Sequence, residues 1–465
     1  MTGREDMTRD QLRALLYEKY IAPTKRKRSH YIGAEIEIPT VNLQGGATDH
    51  RLTQRVFVQI MHQFGFKAQS YDRYGVCYSA TNPDTGDNIS FDCSYNNLEF
   101  SFGREDSIRA LAERFKGYIS FLNTKMEREH HLVTGMGVNP NHHANRKDYL
   151  TVPRYQMLEG YLRRGREWKL PMYIHPYAGF GTYASASQVQ LDVTEHELID
   201  TLRAQNLLEP VKAVLFSNSW MDTEPDLLCV RDLLWENSSH GINPHNIGMY
   251  ERVPESIEEL IDYLESTSLF CAQRDDIYCH FYPIPANEYF NRNRIEAEYY
   301  WEGVYHQFEF EPEPEDLALL RTYKFEDVTF RGTVEYRSCC SQPFSEAFTV
   351  AAFHYGLAER TGELLELLGE DRVLYGHGYS PVEMRRLMNR RKWPEFIDRK
   401  ALRTLCFRVL DLAKGGLLEH QKKDEEYLEP LYERADKLTS PARIFAEGLE
   451  QNRPVNEYVY RFSDL

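Results

Sequence analysis

The chain of 465 residues lacks several features that would assign it quickly to a class of protein. It has no run of about 18 apolar residues, the length that a membrane-spanning helix needs, and no apolar signal core near its start. We therefore expect a cytoplasmic protein with no membrane partner. Positive charge is also scarce. The formal net charge is −16, which argues against nucleic acid as a partner.

Paired cysteines of the kind found in zinc sites and redox motifs are missing. The eight cysteines include no Cys-x-x-Cys pair, so we interpret them as reduced, mostly buried thiols. No group of histidines and cysteines has the spacing of a zinc site. His142 and His143 are adjacent and would point in different directions on any regular element, so we interpret them as surface or structural residues.

Glycine-rich phosphate loops are absent as well. The sequence contains neither Gly-x-x-x-x-Gly-Lys-Ser/Thr nor Gly-x-Gly-x-x-Gly, and it has no Gly-x-Ser-x-Gly nucleophile elbow. If the protein binds ATP, metal ions and arginines must therefore hold the phosphates.

What is present is the composition of an ordinary globular protein, with 42% hydrophobic and 27% charged residues. Strand-like segments at 32–38, 88–101, 183–193 and 328–338 alternate with helical segments. From Phe344 to the end the pattern is mainly helical. Together these patterns predict an α+β fold, in which an antiparallel or mixed sheet carries helices on its outside and the last third of the chain is helical.

Helix starts are marked at three places. Thr194 with Glu197, and Ser256 with Glu259, have the spacing of a capping box. Ser440 before a proline predicts an N-cap with proline in the first helical position. We divide the chain into an N-terminal helix and basic linker at 1–29, a sheet-and-helix core at 30–345, and a helical region at 346–465 that packs on the core.

Each predicted strand has one apolar face and one polar face, because successive side chains point to opposite sides of a strand. In the first strand isoleucine and alanine occupy one face, and glutamates occupy the other. The polar faces of the first, third and fourth strands carry Glu35, Glu37, Gln188, Gln190, Arg331, Glu335 and Arg337.

The second segment needs a turn to bring its acids together. Asp92 and Glu99 are seven residues apart, so a single flat strand would place them on opposite faces. The intervening Ser-Tyr-Asn-Asn stretch has the composition of a turn. We therefore predict a hairpin or bulge that returns both carboxylates to one side.

A sheet with one solvent-exposed face would explain any one of these polar faces. Carboxylates gathered on such faces would repel one another without cations, and Mg²⁺ prefers oxygen ligands that bridge to phosphates. Arg331 and Arg337 would then hold phosphate oxygens. The predicted metal ligands are Glu35, Glu37, Asp92, Glu99 and Glu335.

A series of motifs runs in order from about residue 30 to about residue 445. It consists of Gly33-Ala34-Glu35-Ile36-Glu37, the Asp92 to Glu99 spacing, Arg154-Tyr155-x-Met157, Ser187-Gln188-Val189-Gln190-Leu191-Asp192, Ser217-Asn218-Ser219, Arg231-x-x-x-Trp235, Gly332-Thr333-Val334-Glu335-Tyr336-Arg337, Ala413-x-x-Gly416-Leu417 and Ser440-Pro441-Ala442. The series resembles the motifs of glutamate–cysteine ligases of the bacterial and plant-like branch.

The resemblance implies a glutamine-synthetase-like fold, in which a curved, mainly antiparallel sheet forms a funnel for small-molecule substrates. It implies an ATP-dependent ligase of glutathione biosynthesis that joins the γ-carboxylate of glutamate to the amine of cysteine through an acyl phosphate. The implied cofactors are ATP and two or three Mg²⁺ ions, with Mn²⁺ as a substitute.

The resemblance also implies roles for individual residues. The five acids named above would bind metal, Glu335 and Arg337 would be catalytic, and the remaining residues would bind nucleotide or the amino-acid substrate. The predicted nucleotide-binding residues are Gln188, Arg331 and Arg337. The predicted substrate-binding residues are Arg154, Ser187, Arg231, Trp235 and His240.

Three positions depart from the family pattern and leave the substrate open. Gln190 replaces an asparagine, Cys340 replaces a frequent aspartate, and Ser239-His240-Gly241 stands where many members have Arg-Thr-Gly. The alternatives are the same ligase chemistry with another amine or acid, a phosphotransferase of similar architecture, and a non-catalytic binding protein. The sequence does not predict the oligomeric state.

Overall fold

The computed structural model describes residues 7–170 and 172–465. The first six positions of the predicted N-terminal segment lie outside the described residues. Within this range the first helix occupies Arg9–Leu16, and one π-helical turn and one 3-10 turn continue it to Lys25.

The strands fall into two larger antiparallel sheets and one short parallel pair. Their bounds are β1 (Ile32–Asn42), β2 (Lys67–Tyr71), β3 (Cys77–Thr81), β4 (Asn88–Phe91), β5 (Asn97–Ser101), β6 (His131–Val133), β7 (Ser187–Asp192), β8 (Ile247–Gly248), β9 (Ser268–Arg274), β10 (Ile277–Pro285), β11 (Ile295–Trp301), β12 (Val304–Phe310), β13 (Tyr323–Lys324), β14 (Glu326–Val328) and β15 (Thr333–Tyr336).

The α-helices pack around these strands and make up most of the C-terminal region. Their bounds are α1 (Arg9–Leu16), α2 (His50–Phe64), α3 (Ile108–Met126), α4 (Pro153–Arg164), α5 (Glu195–Phe216), α6 (Val230–Glu236), α7 (Ile257–Ser266), α8 (Ala286–Tyr289), α9 (Thr349–Ala358), α10 (Thr361–Gly369), α11 (Pro381–Met388), α12 (Arg399–His420), α13 (Glu429–Lys437), α14 (Pro441–Glu450) and α15 (Val455–Ser463).

The main sheet has the order β14-β15-β7-β1-β5-β4-β3-β2, and β6 pairs with the far end of β1. Neighbouring strands in it are antiparallel. Strand β1 lies near the centre, between β7 and β5. The predicted α+β class, with a mainly antiparallel sheet and a helical C-terminal region, is confirmed.

The apolar face of this sheet forms the core. Ile32, Ile36 and Ile38 of β1 are almost completely buried. On the next strand Phe100 meets Phe115 of α3, with ring centroids 6.0 Å apart, and Phe115 in turn lies 5.7 Å from Phe348 at the start of α9. The C-terminal helices therefore share one hydrophobic core with the sheet.

The predicted strand at 32–38 extends to Asn42, the one at 183–193 shortens to Ser187–Asp192, and the last predicted strand differs in kind. The segment predicted as a single strand at 328–338 is a hairpin, in which Val328 ends β14 and pairs with Val334 of β15. Gly332 turns the chain with a φ of +73°. A side chain there would also meet Pro23, because its Cβ would lie 2.5 Å from the Pro23 carbonyl oxygen.

The predicted helix starts are confirmed. The Thr194 hydroxyl donates to Glu197 at 2.6 Å, and the backbone amide of Glu259 donates to Ser256 at 3.2 Å. Ser440 caps α14, which begins with a proline. Among the described residues no helix is both long enough and apolar enough to cross a membrane.

A buried ion network joins helices to the edge of the sheet. Lys212 of α5 contacts Glu209 on the same helix and lies 3.2 Å from Glu326 of β14. Arg385 of α11 also contacts Glu209, and it lies 2.8 Å from Asp232 of α6. Because these charges are buried together, each depends on its partners.

Candidate functional site: an acidic cavity over the main sheet

A cavity of about 700 Å³ lies over the polar face of the main sheet. Strands β1, β5 and β15 supply acids to it, and α4 and α6 supply basic and aromatic side chains. Of the predicted site residues, the cavity is lined by Glu35, Glu37, Asp92, Glu99, Arg154, Gln188, Arg231, Trp235, Arg331, Glu335 and Arg337.

The register of the sheet explains how the acids meet. Glu37 of β1 pairs directly with Glu99 of β5, and the neighbouring Glu35 pairs with Gln188 of β7. Asp92 follows the last residue of β4. Oxygen atoms of Glu37, Asp92 and Glu99 all lie within 4.8 Å of one another.

The predicted hairpin between Asp92 and Glu99 is confirmed. Strands β4 and β5 are antiparallel, and Ser90 pairs with Glu99. Cys93 in the turn adopts a φ of +56°, in the left-handed region, which lets the chain reverse directly after Asp92. The reversal places both carboxylates on the cavity side, as the odd spacing required.

Burial and mutual repulsion raise the pKa values of these acids. Burial and the nearby Glu335 raise the pKa of Glu35 to about 7. Burial and Asp92 raise the pKa of Glu37 to about 8. The pKa values of Asp92 and Glu99 are also raised, with burial as the largest cause. Without cations the cavity therefore retains protons at neutral pH.

Neighbouring amides orient two of the carboxylates. Gln188 donates to Glu37 at 3.0 Å, and Gln190 donates to Glu35 at 3.1 Å. Glu37 also accepts a hydrogen bond of 2.7 Å from the backbone amide of Ala186. These contacts hold two carboxylates in place while leaving them accessible from the cavity.

The oxygen donors fit magnesium. The cluster offers carboxylate oxygens, the ligand atoms that Mg²⁺ prefers, and the neighbouring Cys93 thiol donates to Asp92 Oδ1 at 3.5 Å. Burial, followed by repulsion between neighbouring acids, raises these pKa values, so ionisation of the cluster without a cation is costly. A divalent cation among them would remove that cost, because it replaces the retained protons as the neutralising charge.

Two predicted phosphate-binding arginines lie beside the acids. Arg337 donates to Glu335 at 2.7 Å, and its side chain is 25% exposed. Arg331 is exposed in the turn between β14 and β15. Both guanidinium groups line the cavity, so phosphate oxygens that enter it would have cationic partners.

The predicted substrate-binding residues divide into two groups. Arg154, Arg231 and Trp235 line the cavity. Ser187 does not line it, because it pairs with Ile36 and belongs to the apolar face of β7. His240 does not line it either. Its buried ring lies behind the cavity wall, 5.4 Å from Trp235 between ring centroids.

His240 has an unusual environment. Within residues 7–170 and 172–465 neither of its ring nitrogens has a hydrogen-bond partner, and burial lowers its pKa to about 3. The ring also lies 4.5 Å from that of Tyr323, another cavity residue. His240 is therefore neutral and could act on the cavity only through the aromatic side chains that it supports.

Sequence reasoning missed Asp327. It lies on β14 opposite Glu335, lines the cavity, and burial raises its pKa to about 6. Treating 328–338 as one strand concealed it, because the preceding residues were left outside the sheet. The glycine at 332 is the signal that could have revealed the hairpin.

Cys340, one of the departures from the motif series, lies in a buried pair of thiols. Its sulfur lies 3.5 Å from that of Cys229 and 3.3 Å from the Ser219 hydroxyl. Burial acts to raise its pKa, but the contact with Cys229 and the charge of Arg231 outweigh burial and lower the pKa to about 6. The Cys340 thiol therefore ionises more readily than an ordinary cysteine.

Comparisons with known proteins extend this description only slightly. No protein-family model matches the chain, and no curated protein matches it in sequence. A solved bifunctional glutathione synthetase from Pasteurella multocida is 11% identical, with a TM-score of 0.42 over 97% of this chain and 52% of its own. This chain therefore spans about half the length of that protein.

A glutamate–cysteine ligase from Francisella tularensis, solved in complex with AMP, is 14% identical. Its TM-score is 0.48, and the match covers 95% of this chain and 89% of the other. These likenesses are too distant to assign a reaction.

Proposed function

We propose that this protein is an ATP-dependent carboxylate–amine ligase that forms a γ-glutamyl amide bond, with glutamate as the acid and cysteine as the amine. The observation that carries the proposal is a single cavity in which opposed carboxylates and arginines lie together. The ordered motif series along the chain supports the same reaction class and supplies the identity of the substrates.

The acids of the cavity would hold the metal. Glu37, Asp92 and Glu99 form one compact oxygen cluster, and Glu35 lies next to it on β1. When bound there, Mg²⁺ would neutralise the charge of the ATP phosphates. The hydrogen bonds from Gln188 and Gln190 fix two of these carboxylates before any ligand arrives.

Two of the arginines would bind phosphate, and a third would bind the carboxylate of the substrate. Arg337 and Arg331 flank Glu335 in sequence and would contact phosphate oxygens. Arg231 lies on α6, four residues before Trp235, so the two share one side of that helix. Arg231 would bind the α-carboxylate of the acid substrate while Trp235 packs over its chain.

The reaction needs activation of a poor electrophile. The γ-carboxylate attacks the terminal phosphate of ATP, which breaks the bond to ADP and forms an acyl phosphate. The amine then attacks the acyl carbon, the bond between carbon and the phosphate oxygen breaks, and phosphate leaves as the amine loses a proton. Arg337 stabilises the charge that develops on phosphate, and one cavity brings the substrates together.

A substrate panel tests this proposal. Purified protein is given ATP, Mg²⁺ and glutamate, each amino acid is added in turn, and ADP, AMP and amide products are quantified. We expect ADP and a γ-glutamyl amide in equal amounts, with cysteine the best amine. ADP formation without any amine would instead indicate a phosphotransferase, and stoichiometric AMP would contradict the acyl-phosphate route.

A further inference from the structure

Two histidines and an aspartate converge at a second place, away from the acidic cavity. His142 and His143 lie in the turn at 140–144, and Asp222 lies in the loop between α5 and α6. The His143 Nε2 atom is 2.9 Å from Asp222 Oδ1, and the His142 Nε2 atom is 3.9 Å from the same oxygen. None of the three residues lines the acidic cavity.

The backbone of the 140–144 turn explains why two adjacent histidines both lie close to Asp222. The sequence prediction assumed a regular element, on which neighbouring side chains diverge. In the turn the two rings come together instead, with centroids 3.9 Å apart. One ligand atom from each of the three residues lies within 4.8 Å of the other two.

His142 is prepared to act as a ligand. Its Nδ1 atom lies 3.2 Å from the carbonyl oxygen of Asn139, which can only accept a hydrogen bond, so Nδ1 carries the proton. The side chain is buried, with an exposure of 7%, and its Nε2 atom has no hydrogen-bond partner among the described residues. This buried nitrogen, 3.9 Å from Asp222 Oδ1, is therefore available as a ligand.

The charge state agrees with this geometry. Burial, followed by His143, lowers the pKa of His142 to about 4, so the ring is neutral at physiological pH. Lys147 contributes a weaker effect in the same direction. Metal-binding histidines commonly donate their second ring nitrogen to a backbone carbonyl, as His142 does to Asn139.

We propose that His142, His143 and Asp222 form a binding site for a divalent transition-metal ion of the zinc class. Ligands at about 2.0–2.2 Å from zinc in a tetrahedron are about 3.3 Å apart, and the observed 2.9 and 3.9 Å separations lie on either side of this value. Water would complete the coordination. The ion would fasten the 140–144 turn to the loop that leads into α6.

The rotation needed to bind is small. His143 and Asp222 are more than half exposed, so their side chains can turn without disturbing the core. His142 supplies the fixed ligand. Imidazole nitrogen distinguishes this site from the acidic cavity, whose oxygen donors suit Mg²⁺.

Metal titration of the whole protein tests the site. Protein stripped with a chelator is titrated with Co²⁺ and then Zn²⁺ in millimolar Mg²⁺, which occupies the oxygen sites. Calorimetry measures affinity, and the visible spectrum of Co²⁺ reports tetrahedral coordination. We expect one tight equivalent, with affinity about tenfold or more lower in His143→Gln and Asp222→Asn.

Two further variants locate the binding. His196→Gln changes an exposed histidine of α5 and should bind like the wild type. His420→Gln removes a member of the other histidine–carboxylate group, which contains His30 and Glu359, and should also leave binding unchanged.

The result that overturns the proposal is unchanged affinity in both His143→Gln and Asp222→Asn. Loss of the tight site in His420→Gln instead would overturn it equally. Because both altered side chains are exposed, the variants should fold, and a thermal unfolding scan confirms this. Zn²⁺ should raise the unfolding temperature of the wild type and not that of Asp222→Asn.

Discussion

Glu37 and Glu99 lie directly opposite each other on neighbouring antiparallel strands, and both line the acidic cavity. Like charges in this position destabilise a sheet. Ser101 donates to Glu99 at 2.7 Å, but no basic residue in the described chain forms a salt bridge with either acid. A cation bound between the two carboxylates, as proposed above, would remove this repulsion.

Glu99→Gln tests the need for this acid. We expect Mg²⁺-dependent ADP formation to fall about a hundredfold or more, because the metal loses a ligand beside the phosphates. Stability without metal should not fall, since the substitution removes a repelling charge. Glu296→Gln, an exposed strand glutamate of β11, is the matched control and should behave as the wild type. Equal activity of the two variants would remove Glu99 from the site.

The effect of Mg²⁺ on stability should depend on pH. With pKa values of about 7 and about 8, Glu35 and Glu37 hold protons in the folded chain that they release on unfolding. The stability of the metal-free protein therefore falls as pH rises from the ordinary carboxylate range to about 8. Mg²⁺ replaces those protons, so it should raise the unfolding temperature more at about pH 9 than at about pH 6. An equal gain at both pH values would contradict these shifts.

Arg231→Lys tests recognition of the acid substrate. Arg231 is buried and donates to the Cys339 carbonyl at 3.2 Å, which orients its guanidinium at the cavity wall. Lysine keeps the charge but loses the two-pronged contact, for an expected loss of about 1–3 kcal/mol. The KM for glutamate should rise while that for ATP stays unchanged. Arg386→Lys, an exposed control on α11, should alter neither value, and an unchanged glutamate KM in Arg231→Lys would place the pocket elsewhere.

Arg337→Lys should slow ADP formation and leave the KM for glutamate unchanged. Arg337 lies beside Glu335 and would face phosphate, so the variant should form ADP about tenfold or more slowly at saturating glutamate. The KM for glutamate should remain as in the wild type. Steady-state kinetics with each substrate varied in turn measures both constants. A selective rise in glutamate KM would reverse the assigned roles of Arg231 and Arg337.

Lys212→Met should destabilise the fold. The variant leaves Glu209 and Glu326 buried without their shared cation, which costs about 3–5 kcal/mol when one partner of a buried pair is removed. Lys414→Met, on the exposed side of α12, should change stability by less than about 0.5 kcal/mol. Urea unfolding of both variants provides the comparison. Equal stabilities would show that the network does not depend on Lys212.

Much of the site followed from strand periodicity. The alternation that placed Glu35 and Glu37 on one face is a local property of β1, and the turn composition after Asp92 is local too. The α+β class could be predicted for the same reason. The register that sets Glu37 opposite Glu99 could not be predicted, because it depends on contacts between strands that are distant in sequence.

Other features needed the folded chain. The β9–β12 sheet was not predicted. Gly160 lets α4 approach this sheet closely, because a Cβ at that position would lie 2.3 Å from the Cβ of Tyr300. The convergence of His142 and His143 on Asp222 was not predicted, because two adjacent histidines do not reveal the geometry of a turn. Ser187 was assigned to the substrate from a motif, but its strand position turns it toward the core.

The fate of a carboxylate oxygen distinguishes ligation from the alternatives. Glutamate whose γ-carboxylate carries a heavy oxygen isotope is incubated with ATP, Mg²⁺, cysteine and the protein, and the released phosphate is analysed by mass spectrometry. The proposed reaction transfers one labelled oxygen to each phosphate, and omission of Mg²⁺ abolishes the transfer. The other labelled oxygen remains in the amide by any route, so the phosphate alone is diagnostic. Release of unlabelled phosphate while the amide forms would contradict phosphorylation of the carboxylate.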